Sequence, residues 1–164
     1  SIADKKIVTG VAASTNDAKL TLIGIKDKPG VAAEILSVLA DDGINVDMIV
    51  QNISDDRKTT DLTCTVPSDE SIRAKDLMEG LSSNLSYKDL IVDTNISKIS
   101  IVGVGMRSNA GVASQMFRVL SENNINIDVI STSEIKISVL INKDLTEKAL
   151  NTLHDHFELG NISN

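Results

Sequence analysis

"GINVDMIVQNIS" occupies Gly43–Ser54, and "NINIDVISTSEIKISVLI" occupies Asn124–Ile141. Ile44-Asn45-Val46-Asp47 in the first stretch returns as Ile125-Asn126-Ile127-Asp128 in the second, 81 positions later. An apolar run that keeps an aspartate both times marks an internal repeat, and a repeat decides the fold before any single element does. Working outward, "KLTLIGIKDKPGVAAEILSVL" (Lys19–Leu39) aligns with "KISIVGVGMRSNAGVASQMFRVL" (Lys98–Leu120), the second copy being two residues longer in its loop. Each copy opens with an aliphatic, partly β-branched stretch: Leu20, Leu22, Ile23 and Ile25, then Ile99, Ile101, Val102 and Val104. Such a stretch predicts a strand. A glycine, Gly30 or Gly111, is expected to end the loop that follows. Val31, Ala32, Ile35, Leu36 and Leu39 then fall at helical spacing, as do Val112, Ala113, Met116, Phe117 and Leu120. Each set makes one apolar helix face. Gly43 and Asn124 suit a left-handed cap at the end of each helix.

The repeated phrases follow as predicted second strands. In the first copy a third strand is expected over Thr59–Val66, where Leu62, Cys64 and Val66 alternate with threonines. Pro67 and a candidate N-cap, Ser68, introduce a second helix with Ile72, Leu77, Met78 and Leu81 on its apolar side. "YKDLIVD", ending at Asp93, supplies a fourth strand. The second copy has a third strand at Ile135–Ile141 and a capping-box pattern in Asp144 and Glu147. A helix carrying Ala149, Leu150, Leu153 and Phe157 comes next, and no fourth strand follows it. At the other end "KIVTGVAAS" (Lys6–Ser14) belongs to neither copy. An open sheet edge and an unattached apolar strand are both liabilities. The economical reading joins them. The expected fold is α+β, two ferredoxin-like βαββαβ domains, with the N-terminal strand completing the second. The expected domains are residues 15–94, and residues 1–14 together with 95–164. The competing reading is an N-terminus docked to nothing.

Composition narrows the function. The chain has 164 residues, 41% hydrophobic and 24% charged, and only 2% aromatic. Its core must come from Val, Ile, Leu, Ala and Met. A net charge of −7 opposes binding to nucleic acid or to an anionic membrane surface. RNA-binding sheets of this topology also stack bases on aromatics, which are scarce here. No apolar run approaches the roughly 20 residues that span a bilayer. The opening "SIADKK" is polar and lacks the apolar centre of a secretory signal. Cys64 is the single cysteine, so a reducing, cytoplasmic setting is expected. His154 and His156 lie two apart on a helix and share no face, which argues against a metal site. No Ser-His-Asp set, carboxylate pair or phosphate loop is visible. Neither catalysis nor a cofactor is expected.

The strand-to-helix loop "KDKPGVA" is the best candidate site. Pro29 presets a turn, and Gly30 permits close approach to the backbone. The helix that begins there offers free N–H groups and the positive end of its dipole, a cradle for a carboxylate. Asp27 stands beside it as an acceptor for an ammonium group. The pair suits an α-amino acid. The plain alternative is that Asp-Lys-Pro-Gly is only a turn. Asp47 and Asp128, set among Ile and Val, must face water, cap a neighbour or pair with a cation. Asn45 and Asn126 are turn residues or hydrogen-bonding groups.

"DKPGVAAEI" followed by "INVDMIVQNIS" resembles the ACT domain, a small-molecule sensing module that usually binds amino acids. "GMRSNAGVA" and "ISTSEIKIS" resemble the second ACT domain of the aspartate kinase family, whose kinase domain is missing from this sequence. The resemblance covers nearly the whole chain, including "IVTGVAAS". It implies a regulatory β subunit or the C-terminal regulatory region of such a kinase, not catalytic by itself. ACT domains of that family pair side by side, and lysine, threonine or both bind at the interface as feedback inhibitors. The implied contacts in the first domain are Lys26, Asp27, Lys28, Pro29, Gly30 and Val31, with Gln51 and Asn52. In the second they are Met106, Ser108, Gly111 and Val112, then Asn126, Ile127 and Asp128, then Thr132, Ser133 and Glu134. The first domain has Gln51-Asn52-Ile53 where the second has Thr-Ser-Glu, so the two pockets are chemically unequal. A homodimer and a kinase α subunit, or the catalytic domain of a parent chain, are the implied partners. An ACT regulator of another biosynthetic enzyme is the alternative.

Overall fold

Two apolar strand-helix repeats need two separate cores, and the chain builds two. The computed structural model describes residues 7–81, 85–106 and 109–159. It divides into one unit of residues Asn16–Thr94 and another of the described residues up to Thr15 and from Asn95 onward. The strand β1 (Val8–Ser14) opens the chain. The first unit then runs β2 (Asp17–Lys26), α1 (Val31–Asp41), β3 (Ile49–Ile53), β4 (Thr59–Pro67), α2 (Ser71–Gly80) and β5 (Asp89–Asp93). Its antiparallel sheet has the order β3-β4-β2-β5. Leu20, Leu22, Ile25, Leu62, Cys64 and Val66 alternate onto one sheet face. They form a common core with Val31, Ile35 and Leu39 of α1 and with Ala74 and Met78 of α2.

The second unit runs β6 (Ile96–Gly103), α3 (Ala110–Glu122), β7 (Val129–Thr132), β8 (Lys136–Asn142) and α4 (Thr146–His156). Its sheet has the order β1-β6-β8-β7, so β1 takes the place that β5 holds in the first sheet. β1 pairs antiparallel with β6 from Val8 opposite Gly103 to Ser14 opposite Lys98. Val8 joins the core of Ile99, Ile101, Ile137, Val139 and Ile141 under α3 and α4. The N-terminal strand therefore completes the second ACT-type sheet, as its orphan apolar pattern requires.

Five local expectations are corrected. The repeated phrases are mostly not strand: β3 starts at Ile49 and β7 at Val129. Left-handed turns at Gly43 (φ 76°) and Asn124 (φ 58°) release each helix. Ile44 and Ile125 then plug their cores while Asn45, Asp47, Asn126 and Asp128 are exposed on the connector. The connector is pinned by backbone bonds, Asp47 N–H to Thr65 O (3.1 Å) and Asp128 N–H to Leu140 O (2.8 Å). Both aspartates thus sit at exposed positions of an extended connector and interrupt no buried strand. Ile72 is also not core but 77% exposed. A 3-10 turn at Ser68–Glu70 precedes α2 and resets the helix phase, so Ser71, Ala74 and Met78 face inward instead. Ser68 caps nothing in α2; its N–H donates to Asn16 O. The Asp144–Glu147 capping box does not form, because Asn142 Oδ1 takes the Asp144 N–H (2.8 Å) across a 3-10 turn before α4. Finally, Gly111 lies inside the first turn of α3, and Asn109 is the cap.

Candidate functional site

The loop after β2, the start of α1 and Gln51 of β3 line an open cavity of about 510 Å³. Asp27, Lys28, Pro29, Gly30, Val31, Ala32, Ala33 and Gln51 line it. Backbone bonds from Lys26 N–H to Ser86 O (3.2 Å) and from Asp27 N–H to Lys58 O (2.9 Å) fix where the loop leaves the sheet. Gly30 then turns left-handed (φ 88°) as the N-cap of α1, with no side-chain cap. Its hydrogen atom in place of a Cβ leaves the helix end open; nothing lies within 4 Å of where a Cβ would stand. Val31 N–H reaches Lys28 O (3.3 Å) and Glu34 N–H reaches Gly30 O (2.9 Å). Between them, the amides of Ala32 and Ala33 have no hydrogen-bond partner among the described residues. Open N–H groups at a helix start attract anions. The cavity thus sets two free amides, a carboxylate (Asp27) and an amide side chain (Gln51) around one space.

Of the residues expected in the first unit, Asp27 to Val31 and Gln51 meet at this cavity, while Lys26, Asn45, Asp47 and Asn52 are not part of its lining. Strand alternation explains Asn52. Gln51 and Asn52 are neighbours on β3 and so face opposite sides. Ala32 and Ala33 were not expected, since their contribution is a backbone N–H. The signal available in the sequence was their position, second and third after a Pro-Gly turn.

The corresponding elements of the second unit differ. Asn109 takes the Val112 N–H with its own backbone O (3.2 Å) and its side-chain O (3.4 Å), so α3 caps itself. Met106 is 1% exposed and Val112 is fully buried, both in the core. Gly111 is exposed, and Ser108 lies outside the described residues. Ser133 Oγ accepts from Ile135 N–H (3.4 Å) and Lys136 N–H (3.2 Å), which commits it to the β7–β8 turn. Thr132 and Glu134 flank that turn with exposed side chains, and Glu134 O accepts from Met106 N–H (3.0 Å). Asn126 and Asp128 stand on the connector into β7, and Ile127 packs against the core.

His156 packs helices together: its Nε2 lies 2.9 Å from Gln115 Oε1, and its ring meets Phe157 edge-on. Sequence reasoning missed that pairing. No cluster of three or more His, Cys, Asp or Glu able to hold a metal occurs among the described residues. No helix among them is long and apolar enough to cross a membrane.

Comparison with known proteins agrees with this architecture. The family model of the ACT domain matches residues 20–79 and again 99–157. An aspartate kinase of Stutzerimonas stutzeri (strain A1501) is 48% identical over 156 residues, which are 95% of this chain and 38% of that protein. The chain thus spans little more than a third of the length of such curated relatives. A chain in a crystal structure of aspartokinase alpha and beta subunits is 43% identical, with a TM-score of 0.86, covering 93% of this chain and 99% of that one. The ligand-free regulatory subunit of aspartate kinase from Thermus thermophilus is 38% identical, also with a TM-score of 0.86, covering 91% of this chain and 97% of that one. E. coli aspartokinase III, at 22% identity and a TM-score of 0.71, shares the fold over 92% of this chain and 33% of its own. The relatives are named for aspartate kinase, which displaces the alternative of a regulator for a different enzyme. The 164 residues hold two ACT repeats and not the catalytic domain. The chain belongs to the ACT-domain family, as the regulatory part of an aspartate kinase.

Proposed function

We propose that this chain senses an aspartate-pathway amino acid, lysine or threonine, and transmits its level to the kinase as feedback inhibition. The observation that carries this reading is the cavity at residues 27–33, with its two unpartnered amides, Asp27 and Gln51. An α-amino acid carries a carboxylate and an ammonium on one carbon. The carboxylate would lie on the amides of Ala32 and Ala33. Asp27 would take the ammonium, and Gln51 would face the side chain, where its amide suits the hydroxyl of threonine. A volume of about 510 Å³ is within the usual range for small-molecule sites. The fold-sharing E. coli aspartokinase III was solved in complex with lysine and aspartate.

The effector is proposed to act where ACT domains of two copies pair, the first domain of one beside the second of the other, in a homodimer joined to the kinase subunit or catalytic domain. A ligand that binds only the paired form stabilises it by about 2.7 kcal/mol per site at 100-fold its dissociation constant. That shifts a two-state equilibrium about a hundredfold, enough to hold a kinase inactive.

Calorimetric titration of the chain with L-lysine and L-threonine tests the reading, with light scattering to follow association. Binding of either amino acid is expected, together with a dimer at saturation. Asp27→Ala is expected to leave melting within about 0.5 kcal/mol of wild type, since no side-chain bond is lost from the fold. It should weaken effector binding about tenfold or more, the usual cost of a lost charged hydrogen bond. Equal affinities in the two proteins would remove Asp27 from the site. No binding of either amino acid to wild type would refute the sensor reading.

A further inference from the structure

β2 does not reach the cavity as a regular strand. Leu22 pairs with Leu62 and Ile25 with Thr60, so Ile23 and Gly24 together stand opposite the single residue Asp61. This is a β-bulge, with Gly24 left-handed at φ 70°. The Gly24 N–H does not meet a ladder carbonyl; it donates to Asp61 Oδ1 at 2.8 Å. Three residues later the chain becomes Asp27, the first residue of the cavity wall. The second unit makes the same corner differently. Gly103 occupies the position of Gly24, and its N–H goes to a backbone acceptor, Ile135 O, at 2.8 Å. Lys136, facing Val102 across the ladder, stands where Asp61 stands and has no acceptor to offer. The first repeat therefore closes its bulge on one side chain, two residues before the backbone bonds of Lys26 and Asp27, and it is the first repeat whose helix start is left open.

We infer that Asp61 is a positioning residue for the effector site: through Gly24 it sets the direction in which residues 27–33 leave the sheet, and so the spacing of Asp27 from the open amides of α1. Asp61 does not line the cavity, since strand alternation puts it on the other sheet face from Leu62. The inference rests on reading the cavity as an effector site.

Two variants test it, each followed by hydrogen exchange without ligand and by calorimetric titration with L-threonine and L-lysine. Asp61→Ala removes the acceptor; Asp61→Asn keeps an oxygen that can take the Gly24 N–H. Asp61→Ala is expected to speed exchange over residues 24–27 about tenfold, with β4 beyond Leu62 unchanged, and to weaken effector binding by a similar factor. Asp61→Asn is expected to restore most of both. Unchanged exchange over residues 24–27 in Asp61→Ala overturns the inference. So does faster exchange throughout β2 and β4 that Asp61→Asn fails to restore, which would mark a general structural role. Altered loop exchange with unchanged affinity overturns the link to the effector. A wild-type chain that binds neither amino acid counts against the sensor reading, and the exchange data still decide whether Asp61 governs the loop.

Discussion

Truncating Val8 to alanine tests the discontinuous second unit at its weakest joint. Val8 is 3% exposed, pairs with Gly103 and packs in the core with Ile99, Ile101 and Phe157. The change removes two buried carbons. At about 0.8 kcal/mol apiece, with a cavity term added, the cost is about 2 kcal/mol. It should fall on the unit to which β1 belongs in space, although β2 to β5 are nearer in sequence. Amides of Ile99, Ile101, Ile137 and Val139, exchanging through opening of that unit, should exchange about 30-fold faster. Those of Leu20, Leu62 and Val66 should not change. Val66→Ala, at a position 1% exposed in the first core, should give the reverse pattern. Residue-resolved hydrogen exchange by NMR measures both. Unchanged protection in β6 and β8 of Val8→Ala, or losses concentrated in β2 and β4, would refute the argument that β1 is an integral strand of the second sheet.

Burial pushes the Cys64 thiol up from its usual 9.0 to about 11. Between those pH values the unfolded chain has released the proton and the native chain has not. Stability should therefore be fully present below pH 9 and fall by about 2 kcal/mol as pH rises to 11. Urea titrations at pH 8 and pH 11 on wild type and Cys64→Ala measure this, with the extra loss appearing only in wild type. A Cβ at Gly103 would collide with the backbone carbonyl oxygen of Ile7 and press on Met106 Sδ, whereas one at Gly10 meets nothing within 4 Å. Gly103→Ala should thus cost about 1–3 kcal/mol in thermal or urea unfolding, and Gly10→Ala at most about 0.5 kcal/mol.

The sequence by itself determined the repeat, the α+β class, the apolar faces of α1 and α3, and the need for β1 in the second sheet. Those features follow from periodicity, and side chains of period two or near four bury only if their element forms. The left-handed ends at Gly43 and Asn124 were equally legible, because few other residues tolerate that backbone. The loop from Asp27 to Val31 could be picked as a candidate site from its chemistry, with a plain turn as the alternative, and the structure places those residues around one cavity. Tertiary structure decided the rest. Whether "INVD" is strand depends on where a ladder partner begins, and the partner of β3 starts to pair only at Ile49. Whether Ile72 is core depends on the helix phase set by the preceding 3-10 turn. The two helix starts differ because Asn109 turns back onto Val112 and Gly30 has nothing to turn back. The hold of Asp61 on Gly24 joins residues 37 positions apart across a bulge. No local pattern encodes that meeting, since it exists only once β2 and β4 are in register.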